Sequence, residues 1–201
     1  MQNFRQDRFK YAPENQTDIY NPEFNSSVKA VSDEENLSFK ENLDKYAYFY
    51  AYILWNPDTF LDIMTPKDSK RKLKLFQRVE LRAMFRFMNN YFVLSRGSAK
   101  SFTELLGNYL MCVLIPNIRI SLTAETKDQA IKIIKDKHKE LLEWYPFFEG
   151  ELKKVTINTD TAEIIFQNGS VLDVIPAQQT SKGLRRHRMN IEESARLVLV
   201  A

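Results

Sequence analysis

The sequence predicts an α/β fold with a largely parallel central sheet. Two observations predict it. Short apolar runs at Tyr91–Leu94 and Ile118–Leu122 alternate with segments of helical periodicity. Beyond residue 152 the texture turns to strands and turns, with Asn168-Gly169 as a two-residue hairpin signal. From residue 70 the expected order is helix, strand, helix, strand, helix, hairpin, strand.

Residues 1–36 are polar, rich in Asn, Gln, Ser, Asp and Glu, and read as an arm without its own core. Residues 38–64 are aromatic and helix-permissive, and Pro57 breaks or restarts that helix. Over 70–88, Leu73, Phe76, Leu81, Met84, Phe85 and Met88 recur at helical spacings and predict an amphipathic helix. Tyr91–Leu94 suits a strand buried on both faces. A helix of about 14 residues follows the SRGSAKS loop, with Phe102, Leu105, Leu106, Tyr109, Leu110 and Val113 as its apolar stripe, and Pro116 stops it. Ile118–Leu122 is the next strand. Thr126-x-x-Gln129 is a capping-box pattern that opens a helix to about Trp144. Val155–Ile157, Glu163–Gln167 and Ser170–Ile175 read as strands, and a last one runs Arg188–Ile191.

The 201 residues are enough for one domain or slightly more. Lys plus Arg is 29 and Asp plus Glu is 26, a net charge of +3. The longest apolar run, Tyr109–Ile115, is far short of the ~20 residues of a membrane span. The N-terminal MQNFRQDRFKYAP has no apolar leader, and the single cysteine, Cys112, makes no internal disulfide, so an intracellular setting is expected.

The segment YFVLSRGSAKSFTELL reads as strand, tight loop, helix. Such a loop aims backbone N–H groups at an anion, aided by the helix dipole. Ser95, Arg96, Gly97, Ser98, Ala99, Lys100 and Ser101 are the candidate phosphate-binding residues. Lys100 would reach the β- and γ-phosphates, and the Ser101 hydroxyl would coordinate Mg²⁺. The strict pattern G-x-x-x-x-G-K-[ST] fails at Leu94 and at Ala99. Ala99 is therefore expected in the right-handed region, with Gly97 taking the unusual dihedral. A phosphate loop also needs an acid for the metal and a base for water. Glu192-Glu193, after a strand, is the late carboxylate pair that supplies them. Upstream, the Gln77 amide has the donor and acceptor that read an adenine edge.

In this order, the pieces LKLFQRVELRAMFR, VLSRGSAKSF, ISLTAETKDQA, the hairpin around QNGS and KGLRRHRMNIEES resemble the ATPase domain of the large terminase subunit of tailed bacteriophages. The resemblance covers about residues 55–196. It implies an ASCE-type P-loop NTPase, a mainly parallel sheet flanked by helices with an added hairpin over 37–201. It implies an ATP- and Mg²⁺-dependent motor that drives double-stranded DNA into a procapsid. By carry-over, Lys100 and Ser101 hold phosphate and Mg²⁺, and Glu192 is the Walker B acid. Glu193 becomes the catalytic carboxylate, Arg96 the arginine of a deviant Walker A loop, and Gln77 part of the adenine motif. The partners implied are DNA, a portal protein, a small terminase subunit and further copies in a ring, acting in the host cytoplasm on the procapsid portal and not at a membrane. The chain ends eight residues past Glu193, so the resemblance implies an incomplete sheet and an N-terminal fragment lacking the nuclease domain. Another P-loop DNA translocase or helicase, or a non-enzymatic basic nucleic-acid-binding module, are the alternatives.

Residues 70–100 hold nine basic side chains against Glu80, and Lys182, Arg185, Arg186 and Arg188 form a second cluster. Such patches give salt-dependent phosphate affinity, with a solvated helix face as the plain alternative. His138 reads as a surface histidine and Cys112 as core. Tyr46, Tyr48, Phe49, Tyr50, Tyr52 and Trp55 fit a hydrophobic layer over the sheet better than a base-stacking platform.

Overall fold

The computed structural model describes residues 39–65, 72–95, 97–175 and 186–192. The polar arm, Arg96, the 176–185 segment and Glu193 lie outside the described residues. The chain divides into two compact units between Phe92 and Val93.

The first unit is helical. α1 spans Phe39–Trp55, α2 Pro57–Met64 and α3 Leu75–Arg86. Pro57 restarts the helix as expected, standing at the first helical position where its missing N–H costs nothing. Tyr52, Ile53, Leu61, Leu73, Leu81 and Met84 are buried. Tyr46, Phe49 and Tyr50 are exposed, so the aromatic series of α1 is buried on one side only.

The predicted stripe of α3 is corrected in part. Phe76 and Met88 are exposed, and the buried positions include Arg82, Gln77 and Glu80. Charge pairing explains the rotation. Arg82, wholly buried, donates from Nε to Asp58 Oδ1 at 2.7 Å and from Nη2 to Asp58 Oδ2 at 3.0 Å. Arg78 donates to Asp58 at 3.1 Å and to both oxygens of Asp62 at 2.6 and 2.7 Å. Arg86 donates to the Trp55 carbonyl at 3.0 Å, and its guanidinium stacks 4.3 Å over the Trp55 ring. Positions 78, 82 and 86 are successive i,i+4 neighbours, so one face of α3 presents three guanidinium groups to α2 and the end of α1. Three members of the first basic cluster therefore serve the fold rather than a solvated phosphate-binding face.

The second unit carries a five-stranded sheet in the order β2-β3-β4-β1-β5. Its elements are α4 (Lys100–Leu114), β1 (Arg119–Thr123), α5 (Lys127–Trp144), α6 (Phe148–Glu151), β2 (Leu152–Ile157), β3 (Ala162–Phe166), β4 (Val171–Val174) and β5 (Arg188–Ile191). β1 runs parallel to β4 and β5, whereas β2–β3 and β3–β4 are antiparallel. The expectation of a mainly parallel sheet is corrected to a mixed one. The reason is local: short turns join β2 to β3 and β3 to β4, and short turns make antiparallel neighbours.

Tyr91–Leu94 does not form the expected strand. Both edges of β1 are taken, by β4 and β5, and Tyr91 and Val93 are exposed. An apolar run becomes a strand only where a ladder receives its backbone groups, and among the described strands none does so here.

The Asn168-Gly169 hairpin forms, but with a three-residue loop. Gly169 N–H donates to Phe166 O and Phe166 N–H to Ser170 O, with Gly169 at φ 83°. That is a type I turn followed by a left-handed residue. A Cβ at 169 would lie 2.4 Å from Asn117 Oδ1. The same turn closes α4: Asn168 Nδ2 donates to Cys112 O at 2.7 Å and Val113 O at 3.0 Å, and Ser170 Oγ donates to Ile115 O at 2.9 Å. α5 begins as the sequence indicates, with Thr126 Oγ1 accepting from Gln129 N–H at 3.2 Å.

α4 and α5 pack on the sheet face made by Ile120, Leu122, Ile164, Phe166 and Leu172, all buried. Tyr109 sits at the centre, edge-on to Phe148 and Phe166. His138 is corrected from a surface residue to a half-buried one. Its Nδ1 and the Tyr109 hydroxyl are 2.5 Å apart. Cys112 is core, as expected. On the other face Ser121 donates to Asp173, and Arg186 pairs with both, donating to Ser121 Oγ at 2.7 Å. Two described members of the second basic cluster, Arg186 and Arg188, thus contact groups within the fold, Arg188 through Met111 Sδ at 3.4 Å.

Candidate functional site

α4 lies antiparallel to β5, because its successive turns meet β5 in reverse order. Lys100 meets Glu192, Asn108 meets Asn190, and Met111 meets Arg188. The start of α4, where helix N–H groups are uncapped by their own chain, therefore stands at the C-terminal end of β5. The site is built there.

Lys100 Nζ is 2.9 Å from Glu192 Oε2. Glu192 is 2% exposed, and its backbone N–H donates to Thr123 O at 2.9 Å, which continues the β1–β5 ladder past the last strand residue. Burial pushes the Glu192 carboxyl up, but hydrogen bonds with Glu104, Lys100 and Ser101, and the charge of Lys100, hold it below the usual carboxylate range. Its second oxygen, Oε1, is buried without a hydrogen-bond partner. Arg188 is drawn down by burial and up by the charge of Glu104. Two cations and two acids thus line one strip of the α4–β5 interface.

Gly97 at φ 82° takes the unusual dihedral expected of it, and no atom lies within 4 Å of a Cβ placed there. Ser98 N–H donates to Ser95 O at 3.4 Å, closing the turn, and Ser98 Oγ is buried without a partner. Ala99 overturns the expectation made for it. It sits at φ 56°, ψ 33°, in the left-handed region, not the right-handed one. Ala99 is the N-cap of α4, and its carbonyl accepts from Thr103 N–H at 3.0 Å. The strict phosphate-loop pattern has glycine at this position, the residue that adopts such a dihedral without strain. With no strand at Tyr91–Leu94, the strand–loop–helix frame keeps only a glycine turn and a helix, and the left-handed Ala99 counts against the phosphate-loop expectation.

Gln77 belongs to the first unit. Its Oε1 accepts from Lys74 N–H at 2.9 Å, so its amide oxygen caps α3. Arg96 and Glu193 lie outside the described residues, and so do Lys182 and Arg185. Of the predicted residues, the structure brings together Lys100, Ser101 and Glu192.

Sequence reasoning missed Glu104, Asn108, Arg188 and Asn190. The signal was present: Lys100, Glu104, Asn108 and Met111 occur at i, i+4, i+8 and i+11, a second stripe beside the apolar one. Hard oxygen donors suit Mg²⁺. The buried, unpartnered Glu192 Oε1 with the Ser101 hydroxyl on the same carboxylate fits such an ion. Among the described residues no group of three or more His, Cys, Asp or Glu gathers as a metal site, so phosphate or water oxygens would complete the shell.

Among the described residues no helix is long and apolar enough to cross a membrane. The chain matches no protein-family model and no curated protein sequence.

Proposed function

We propose that the Lys100–Glu192 site binds ATP with Mg²⁺ and that the chain is the ATPase part of a DNA-translocating motor of the large-terminase type. One observation carries this reading. Lys100 and Glu192 are 92 residues apart in sequence, yet their charged atoms meet at 2.9 Å, at a helix start preceded by a glycine turn. An anion-binding loop and a metal-binding acid must converge in this way for phosphoryl transfer. On this reading the finer fold is a P-loop NTPase.

In the proposed chemistry Lys100 binds the β- and γ-phosphate oxygens, and the α4 N-terminus adds backbone N–H groups. Ser101 and Glu192 would hold Mg²⁺, which when bound would supply charge neutralisation at the phosphates. Glu193 orients the attacking water, and Arg96 contacts the γ-phosphate. Double-stranded DNA, a portal protein, a small terminase subunit and further copies of the chain are the partners of such a motor, which works in the host cytoplasm on a procapsid.

The test is thermal unfolding with ADP or ATP and Mg²⁺. Wild type gains stability, and Lys100→Ala does not. A wild type indifferent to both nucleotides rejects the reading. A strand-separation assay distinguishes a duplex translocase, which leaves strands paired, from a helicase. The basic-module alternative loses ground because Arg78, Arg82, Arg86 and Arg186 are held by acids, backbone or rings within the fold.

A further inference from the structure

The strip where α4 meets β5 carries an arrangement that nucleotide binding alone does not require. Lys100 donates to Oε2 of Glu192, the acid proposed to hold the metal. Glu104 stands on the same stripe of α4 between Lys100, which meets Glu192, and Asn108, which meets Asn190, and it shares a hydrogen bond with the Glu192 carboxylate. Arg188, at the start of β5, feels the charge of Glu104 and contacts Met111 Sδ on the same helix at 3.4 Å. The two carboxyl groups hydrogen-bond to each other, so they share a proton while Lys100 and Arg188 stand beside them. Glu192 Oε1, on a carboxylate that is 2% exposed, still has no partner.

A divalent cation placed on that oxygen would stand within a few ångströms of the Lys100 ammonium. Two cations so close on one buried carboxylate repel each other. The carboxylate pair therefore accepts either the lysine or the metal, not both at full strength. Phosphate oxygens are the better partner for an ammonium that is losing its carboxylate to a divalent ion.

We propose that Lys100 neutralises the Glu192 carboxylate in the metal's stead in the nucleotide-free protein, and that Glu104 joins Glu192 as a second carboxylate for the divalent cation once phosphate draws Lys100 away. The inference deepens the ATP-site reading and rests on it for the identity of the phosphate donor. It assigns Glu104 a role beyond its place in the polar stripe of α4. It also makes metal and nucleotide binding mutually reinforcing, since each removes the partner that holds the other off.

The probe is Mn²⁺ alone, titrated into the full chain and followed by the loss of its free-ion paramagnetic signal. Wild type without nucleotide binds Mn²⁺ weakly. Lys100→Met binds it about tenfold more tightly or better, the change that removal of one charge-assisted competitor makes. Adding Glu104→Gln to Lys100→Met abolishes that gain. ADP added to wild type raises Mn²⁺ affinity, and ADP added to Lys100→Met does not. Lys100→Gln is the second variant should Lys100→Met fail to give a native circular dichroism spectrum. Equal Mn²⁺ affinity in wild type and both Lys100 variants overturns the exchange. A gain that survives Glu104→Gln overturns the role of Glu104. The ATP-site reading is judged separately, by stabilisation of wild type with ADP and Mg²⁺: that result can stand while the Mn²⁺ gain fails, or fail while the gain stands.

Discussion

Lys100 Nζ and Glu192 Oε2 form an ion pair that joins the first residue of α4 to the residue just past β5. The pair fixes the two ends of the site against each other, and its acid is held ionised. The Glu192 carboxyl titrates below the usual carboxylate range in the folded protein, against about 4.3 unfolded. A depressed folded value contributes stability above the unfolded value, and that contribution is lost as pH falls through the folded one. Glu192→Gln removes it. The melting-temperature gap between wild type and Glu192→Gln should be full at pH 6–7, by this linkage, and narrow below about pH 4. A gap unchanged down to about pH 3 would show that the pair contributes nothing through ionisation.

Ala99 carries a backbone dihedral at which a Cβ is crowded. A non-glycine residue in that region costs roughly 1–2 kcal/mol, partly offset in a glycine variant by the larger entropy of its unfolded chain. Ala99→Gly should therefore raise stability by about 0.5–1 kcal/mol, read from urea midpoints at constant slope. A loss of stability would mean that position 99 is right-handed in solution.

Arg82 and Asp58 are both wholly buried and paired through two bonds. Removing one partner leaves a buried charge, at a cost of about 3–5 kcal/mol. Asp58→Ala should unfold the first unit at markedly lower denaturant. Asp58→Ala with Arg82→Met should recover part of the loss, because no uncompensated charge remains. Tryptophan fluorescence, with Trp55 stacked under Arg86, reports the transition.

Tyr109, in the core, meets the half-buried His138 between α4 and α5. Burial lowers the His138 value below 6.5, so the neutral ring is favoured on folding. Its contribution is present above pH 6.5 and lost as pH falls through the folded value. Tyr109→Phe should cost about 1 kcal/mol at pH 7.5. His138→Phe should flatten the wild-type decline in melting temperature between pH 6.5 and 5, by the same linkage. An identical decline in His138→Phe would assign it to other groups.

Much of this arrangement was written in short-range signals. Pro57 restarts a helix, Thr126 caps one, Asn168-Gly169 turns a hairpin, and Arg188–Ile191 is a strand with the expected bounds. These features depend on a few neighbouring residues, so sequence alone carries them. The loop glycine was legible for the same reason: Gly97 is the residue of that turn for which a positive φ has no steric cost.

Other outcomes depend on what a segment meets across the chain. Tyr91–Leu94 has strand composition but forms no strand among the described residues, because pairing with a distant ladder, not local composition, makes one. The arginines of α3 read as a phosphate-binding stripe until Asp58 and Asp62, some twenty residues earlier, are placed opposite them. Sequence therefore determined the helices, turns and last strand, and named Lys100, Ser101 and Glu192. Tertiary structure decided that these three converge, that Glu104 stands with them, and that Arg78, Arg82 and Arg186 pair with acids, since charge pairing and strand pairing are long-range contacts that no local pattern encodes.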